Sequence, residues 1–410
     1  MLLPPDVYYG SHPSWYTPNM YSYGGYYNKK SGVDWSYSNL CFNANGNDAE
    51  LSLMKDQFYL RLKEQLLRVT NIDNICIGVG DNDHDHSSEY CACEACRKDG
   101  NANISIIKFL NEISKRIKND PDFAGRDIYL YTMAYRATET APTYGSVTMD
   151  DHVGVWIAPV TNDTNWAYPL NDEINNTYTA NNIKNWLKLT KNIGFYLYAS
   201  NYTRCFAPLY YFETIVKNHK YLSQIGTKFI YYCEVSENQS FTGFGAFKNF
   251  ILRHTIINAD ITYEKLYNDF FSLNGYYGEA GPRLKYYFDE LIDAMENSGI
   301  GKYGDIYNSH VFNWSHFGAY LGSMSFWKQY SIDEAYSELD STNPNYEIYK
   351  KHILAESIFL RYCKYVSSGV WYSDDSESKF LDDCGSLGIV KNQEGIYLSS
   401  DSIRNHKNHL

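Results

Sequence analysis

Five short runs rich in Ile, Val, Phe and Tyr constrain this chain most: Ile75–Val79, Ile128–Tyr135, Val153–Val160, Ile193–Ala199 and Phe229–Cys233. None alternates apolar with polar residues, so each reads as a strand buried on both faces. Helical patterns lie between them. Ile106, Ile107, Leu110, Ile113 and Ile117 recur at helical spacing, as do Phe212, Ile215, Val216, His219 and Leu222. Strand–helix alternation implies parallel strands joined by helical crossovers. No Gly-rich dinucleotide turn of the G-x-G-x-x-G kind follows any strand, which favours an α/β fold of the (β/α)8 TIM-barrel type over an open doubly wound sheet.

Five strands do not close such a barrel. The expectation is therefore a barrel domain over residues 1–259 that lacks its N-terminal part, followed by an α-helical C-terminal region over 260–410. In that region Leu284, Tyr287, Phe288, Leu291 and Ile292, then Leu354, Ile358, Tyr362 and Val366, keep helical spacing. No run of eighteen apolar residues exists to span a membrane. The opening MLLPPDVYYGSHPSWY has neither a basic segment nor the apolar stretch of an export signal.

A net charge of −12 disfavours nucleic acid and anionic membrane as partners, since both reward clustered Lys and Arg. The 41 tyrosines suit a neutral, hydroxyl-rich ligand such as an oligosaccharide, because Tyr joins a flat apolar face to a polar tip. Biased genome composition explains the same excess equally well.

In a barrel of this type the working residues stand just past the C-terminal ends of the strands. The first run leads into Asn82 and Asp83, and the second ends at Tyr135 and Arg136. The third carries Trp156, the fourth ends at Tyr198 and Asn201, and the fifth runs into Glu234 and Glu237. Carboxylates from different strands, ringed by aromatic and amide side chains, suit glycoside hydrolysis, in which one carboxyl protonates the leaving oxygen and another attacks or activates water. Asp83 and Glu234 are the expected pair, with Asn82, Tyr135, Arg136, Trp156, Tyr198, Asn201 and Glu237 binding sugar. The plain alternative is that strand-end carboxylates cap helices or form turns. No G-x-S-x-G, P-loop or H-E-x-x-H motif offers another chemistry.

The stretch GVGDNDHDHSSEYCACEAC, residues 78–96, holds the most specific local pattern. Cys91, Cys93 and Cys96 can converge on one ion, with His84 or His86 completing a tetrahedral structural Zn²⁺ site; His86 is the candidate carried forward. A disulfide plus one free thiol, or three reduced thiols, fits the spacing too. Nine cysteines, an odd number, exclude complete pairing within one chain, and Cys76 and Cys233 read as free thiols inside strands. The chemistry itself needs no cofactor.

PPDVYYGSHPSWY, NLCFN, GVGDNDHDHSSEYCACEAC, YLYTMAYRATETAP, VGVWIAPV, YYGEAGPRLKYYFDEL and FLDDCGSLGIVKNQEG together resemble the DUF4838 family of bacterial proteins. The resemblance implies a glycosidase-like barrel related in form to those of α-glucuronidases and hexosaminidases. It also implies a carbohydrate-directed activity, either a glycoside hydrolase or a non-catalytic carbohydrate-binding barrel, and an extracellular or periplasmic location. Asn82 and Asp83 match the family's Asn–Asp pair ahead of the cysteines, while the match around Glu234 is looser. Family members carry further sequence before the P-P-x-x-Y-Y motif, so a truncated start is expected.

Overall fold

The computed structural model describes residues 2–17, 39–77, 90–160, 164–200, 205–206, 211–234, 241–297, 332–393 and 396–408. The candidates Asn82, Asp83, His86, Asn201 and Glu237 fall outside them.

All five apolar runs form strands: β1 Asn74–Ile77, β2 Tyr129–Ala134, β3 Val153–Ile157, β4 Ile193–Tyr198 and β5 Phe229–Cys233. They make one parallel sheet in sequence order, curled as half a barrel. Tyr131 lies opposite Cys76 and Gly154, and Trp156 opposite Met133 and Gly194. Side chains alternate between the faces of a strand. One face therefore carries Leu130, Thr132, Ala134, Val153, Val155, Ile157, Ile193, Phe195 and Leu197, all at most 1 % exposed. Its counterpart carries Cys76, Tyr131, Met133, Trp156, Tyr196, Phe229 and Tyr231.

On that second face the glycines make room for rings. A Cβ on Gly154 would fall 2.5 Å from the Tyr131 ring and 2.4 Å from the Asn192 carbonyl oxygen, and one on Gly194 would fall 2.4 Å from the Phe229 ring. Tyr131 and Trp156 then meet Phe229 edge-on at 4.9 and 5.4 Å. Cys76 and Cys233, on this face, are free thiols and only partly buried.

After the single-turn α1 (Pro5–Tyr8), α2 (Asp48–Arg68) starts where the Asn47 side chain accepts from the Glu50 N–H, a standard N-cap, and buries Met54, Phe58, Leu62 and Leu66 at four-residue intervals. The short α3 (Glu94–Asp99) leads into α4 (Ala102–Asn119), capped by Asn101, which buries the predicted isoleucine stripe. Further along come α5 (Thr177–Leu189), α6 (Phe212–Gln224), α7 (Gly245–Ile257), α8 (Tyr263–Phe270) and α9 (Gly281–Asn297).

The chain divides into two compact units. Met1–Thr161, Tyr178–Leu197 and Gly226–Tyr231 form the first; Asn162–Thr177, Tyr198–Ile225 and Tyr232–Leu410 form the second. The core of the second is aromatic, with Phe212, Phe244, Phe247, Phe270, Phe271, Tyr277 and Phe288 all buried. Beyond residue 260 the described residues are mainly helical. A small antiparallel pair, Lys391–Gln393 with Ile396–Tyr397, is an addition that the helical expectation did not include.

Candidate metal centre and candidate active site

In the first unit, two distant segments bring four cysteines together. Residues 15–17 and 39–41 run antiparallel, with the Tyr16–Leu40 bridge, the Thr17 N–H donating to Asn39 (3.0 Å) and the Cys41 N–H donating to Trp15 (2.8 Å). The chain then turns through three consecutive left-handed residues, Ala44, Asn45 and Gly46, with φ of 43°, 53° and 84°. Two of the three carry side chains, so this conformation costs free energy that the surroundings must offset. The turn aims the Asn45 N–H at the Cys41 sulfur, 3.2 Å away.

The second segment arrives at Tyr90, whose hydroxyl donates to the Leu40 carbonyl at 2.8 Å. Cys91 and Cys93 lie in the extended stretch that follows. The Cys93 sulfur caps α3 by accepting from the Cys96 N–H at 3.3 Å, and Cys96 occupies the first turn of α3. Cys41 Sγ is 3.6 Å from Cys91 Sγ, 3.6 Å from Cys93 Sγ and 3.8 Å from Cys96 Sγ, and all four sulfurs lie within 4.8 Å of one another. The four residues are 0–8 % exposed.

An outer layer supports them. The Asn43 amide donates to Ser105 Oγ (2.8 Å), Asp99 (3.3 Å) and Cys96 Sγ (3.7 Å), and Ser105 donates to Asp99 at 2.8 Å. Hydrogen bonds from the Cys91 and Cys96 thiols pull Cys41 down to about 4, while the same contacts push Cys91 up. Without a metal the cluster thus favours negative charge on the Cys41 sulfur and disfavours it on Cys91 and Cys96, so the group as a whole would bind a metal ion only by releasing protons. Cys41 escaped the spacing argument because it precedes Cys91 by 50 positions. A second group of potential ligands, Asp150, Asp151 and His152, is partly exposed and already engaged with Lys118 and Asp127, so it reads as a surface ion cluster.

In the second unit, Glu234 follows β5 directly and is 8 % exposed. Ser200 Oγ donates to its carboxylate at 2.6 Å, and Lys248 of α7 forms an ion pair with it. The same ammonium donates to the Ala199 carbonyl (3.0 Å) and to Ser200 Oγ (3.1 Å), so its three N–H bonds are all used. Burial pushes the Lys248 ammonium down, and the Glu234 charge opposes that shift. By strand alternation Glu234 shares the parity of Tyr232, whose hydroxyl bonds His219 of α6 at 2.7 Å. Lys248 was not anticipated; a lysine between Phe247 and the apolar residues Phe250 and Ile251 of GAFKNFILRHTII is the signal that points to it.

Of the remaining candidates, Tyr198 is buried edge-on to Trp166 at 5.9 Å. Arg136 adopts a left-handed φ of 46° and donates from Nε to the Tyr135 hydroxyl at 3.0 Å, just beyond β2. Trp156 packs against Tyr196, Phe229 and Tyr231, with its indole nitrogen buried. Within the first unit the structure thus brings Tyr135 beside Arg136, and within the second it places Tyr198 and Glu234.

No curated protein matches the chain. A family model described as a domain of unknown function, DUF4838, matches residues 1–289, well over half of the sequence, and the protein therefore belongs to the DUF4838 family.

Proposed function

We propose that the protein acts on a complex glycan as a glycoside hydrolase built on a (β/α)8-type barrel, with Asp83 and Glu234 as its carboxyl pair. The observation that carries this reading is Glu234: a buried carboxylate one residue past a parallel strand, oriented by Ser200 and ion-paired with Lys248. A carboxylate paired with a lysine suits the nucleophile or base and leaves proton donation to Asp83. Tyr135 and Arg136 stand at a second strand end, where sugar-positioning groups belong.

A second reading is a carbohydrate-binding barrel without hydrolysis. It is favoured by the same ion pair, because a carboxylate neutralised by lysine and sharing the parity of Tyr232 serves the framework rather than the substrate. Hydrolysis of a broad glycan panel by wild type, Glu234→Gln and Asp83→Asn separates the two. Product from wild type that is lost in a folded variant supports catalysis. Binding on a glycan array with no product from any of the three supports the second reading, and neither binding nor product removes both.

A further inference from the structure

We propose that Cys41, Cys91, Cys93 and Cys96 hold a single Zn²⁺ as a closed tetrathiolate centre. The argument is geometric. Zn–S bonds of about 2.3 Å in a tetrahedron place sulfurs about 3.8 Å apart. The separations from Cys41 are 3.6, 3.6 and 3.8 Å, and no pair exceeds 4.8 Å. Disulfide sulfurs would be about 2.05 Å apart. A polynuclear iron–sulfur cluster also needs its cysteines farther apart, because inorganic sulfide and several irons must fit between them.

Chemistry points the same way. Four buried thiols that merely filled space would leave weak donors facing one another, whereas here backbone and side-chain groups aim at sulfur: Asn45 N–H at Cys41, Cys96 N–H at Cys93, and the Asn43 amide at Cys96. Such donors orient thiolate ligands and temper their charge. The left-handed turn over Ala44–Gly46 exists to point one of them, and its strain is the kind retained at a ligand site. With four protein ligands the ion has no open position, so its role is structural. It joins residues 39–47 to α3, and thereby fixes the point where the chain leaves residues 78–89, which contain Asn82 and Asp83.

The test is elemental analysis of the purified full chain from zinc-replete growth, together with Co²⁺ exchange and thermal melts with and without a strong chelator. Wild type is expected to carry one zinc per chain, to give the intense sulfur-to-cobalt charge-transfer bands of a tetrahedral thiolate site, and to melt lower when chelated. Cys41→Ser should lose the zinc, while Cys76→Ser, outside the cluster, should keep it. If Cys41→Ser does not fold, the Co²⁺ spectrum of wild type still decides, because its intensity reports the number of thiolates. A folded metal-free protein with an unchanged melt, iron in place of zinc, or full zinc occupancy in folded Cys41→Ser would each overturn the assignment.

Discussion

Replacing Lys248 with methionine removes the cation from a pair whose side chains are only 4 % and 10 % exposed. Glu234 would keep the Ser200 hydroxyl and lose the Lys248 ammonium. An exposed pair of this kind contributes at most about 1 kcal/mol. Removing one partner of a buried pair costs roughly 3–5 kcal/mol, because the remaining charge is uncompensated. Lys248→Met is therefore expected to lose stability in the upper range, read as a shift in the urea midpoint at constant slope. Glu234→Gln should cost less, since the ammonium keeps Ala199, Ser200 and the new amide oxygen as acceptors. The double variant should lose far less than the sum of the two, which is the signature of direct coupling. A loss below about 1 kcal/mol, or strict additivity, would refute the claim that this pair is buried and mutually dependent.

Two buried titrating groups in the second unit make opposite predictions about pH. Burial pushes His219 down to about 4 from 6.5, so its contribution is present above 6.5 and is lost as pH falls through about 4, on the order of 3 kcal/mol in all. Burial pushes Glu356 up to about 7 from 4.5, so its contribution is present below 4.5 and is lost as pH rises through about 7, of similar size. Urea melts across pH 4–8 should show Glu356→Gln gaining stability steadily with pH and His219→Gln losing it; parallel profiles for the two variants would remove both assignments. Gly154→Ala should destabilise by about 1–3 kcal/mol, because the new methyl meets the fixed Asn192 carbonyl as well as the Tyr131 ring, and a melt within error of wild type would contradict that packing. Arg361→Lys, which gives up a two-pronged bond to Asp375 and a third contact to Asp383, should lose several kcal/mol by the same assay, whereas a neutral result would mean the carboxylates find other partners.

The strands were legible because strands of a parallel sheet under helical crossovers are apolar throughout, although β1 and β5 prove only partly buried; β2, β4 and β5 match their runs to within a residue, while β3 stops at Ile157, three residues short of its run. The isoleucine stripe of α4 was legible for the same reason: one face has a single task. The small pair at Lys391–Gln393 and Ile396–Tyr397 was not, since two or three polar-rich residues carry no periodicity. At the thiol site, three ligands announce themselves by local spacing, but the fourth comes from a turn in another segment, and only the fold makes Cys41 their neighbour. Glu234 was found by its place after a strand. Its Lys248 partner was not, because a single Lys in a helix reads as solvent-exposed until the helix is known to be buried there. Trp156, whose type suggests a sugar platform, lies on the aromatic face of the sheet with Tyr196, Phe229 and Tyr231, neighbours that no local spacing announces.

The most direct test of the tetrathiolate centre is X-ray absorption at the zinc edge of the purified protein. Four sulfur neighbours at about 2.3 Å and no lighter scatterer in the first coordination shell is the result the structure predicts. Three sulfurs with one nitrogen at about 2.0 Å would place a histidine such as His86, rather than Cys41, on the metal and contradict the assignment.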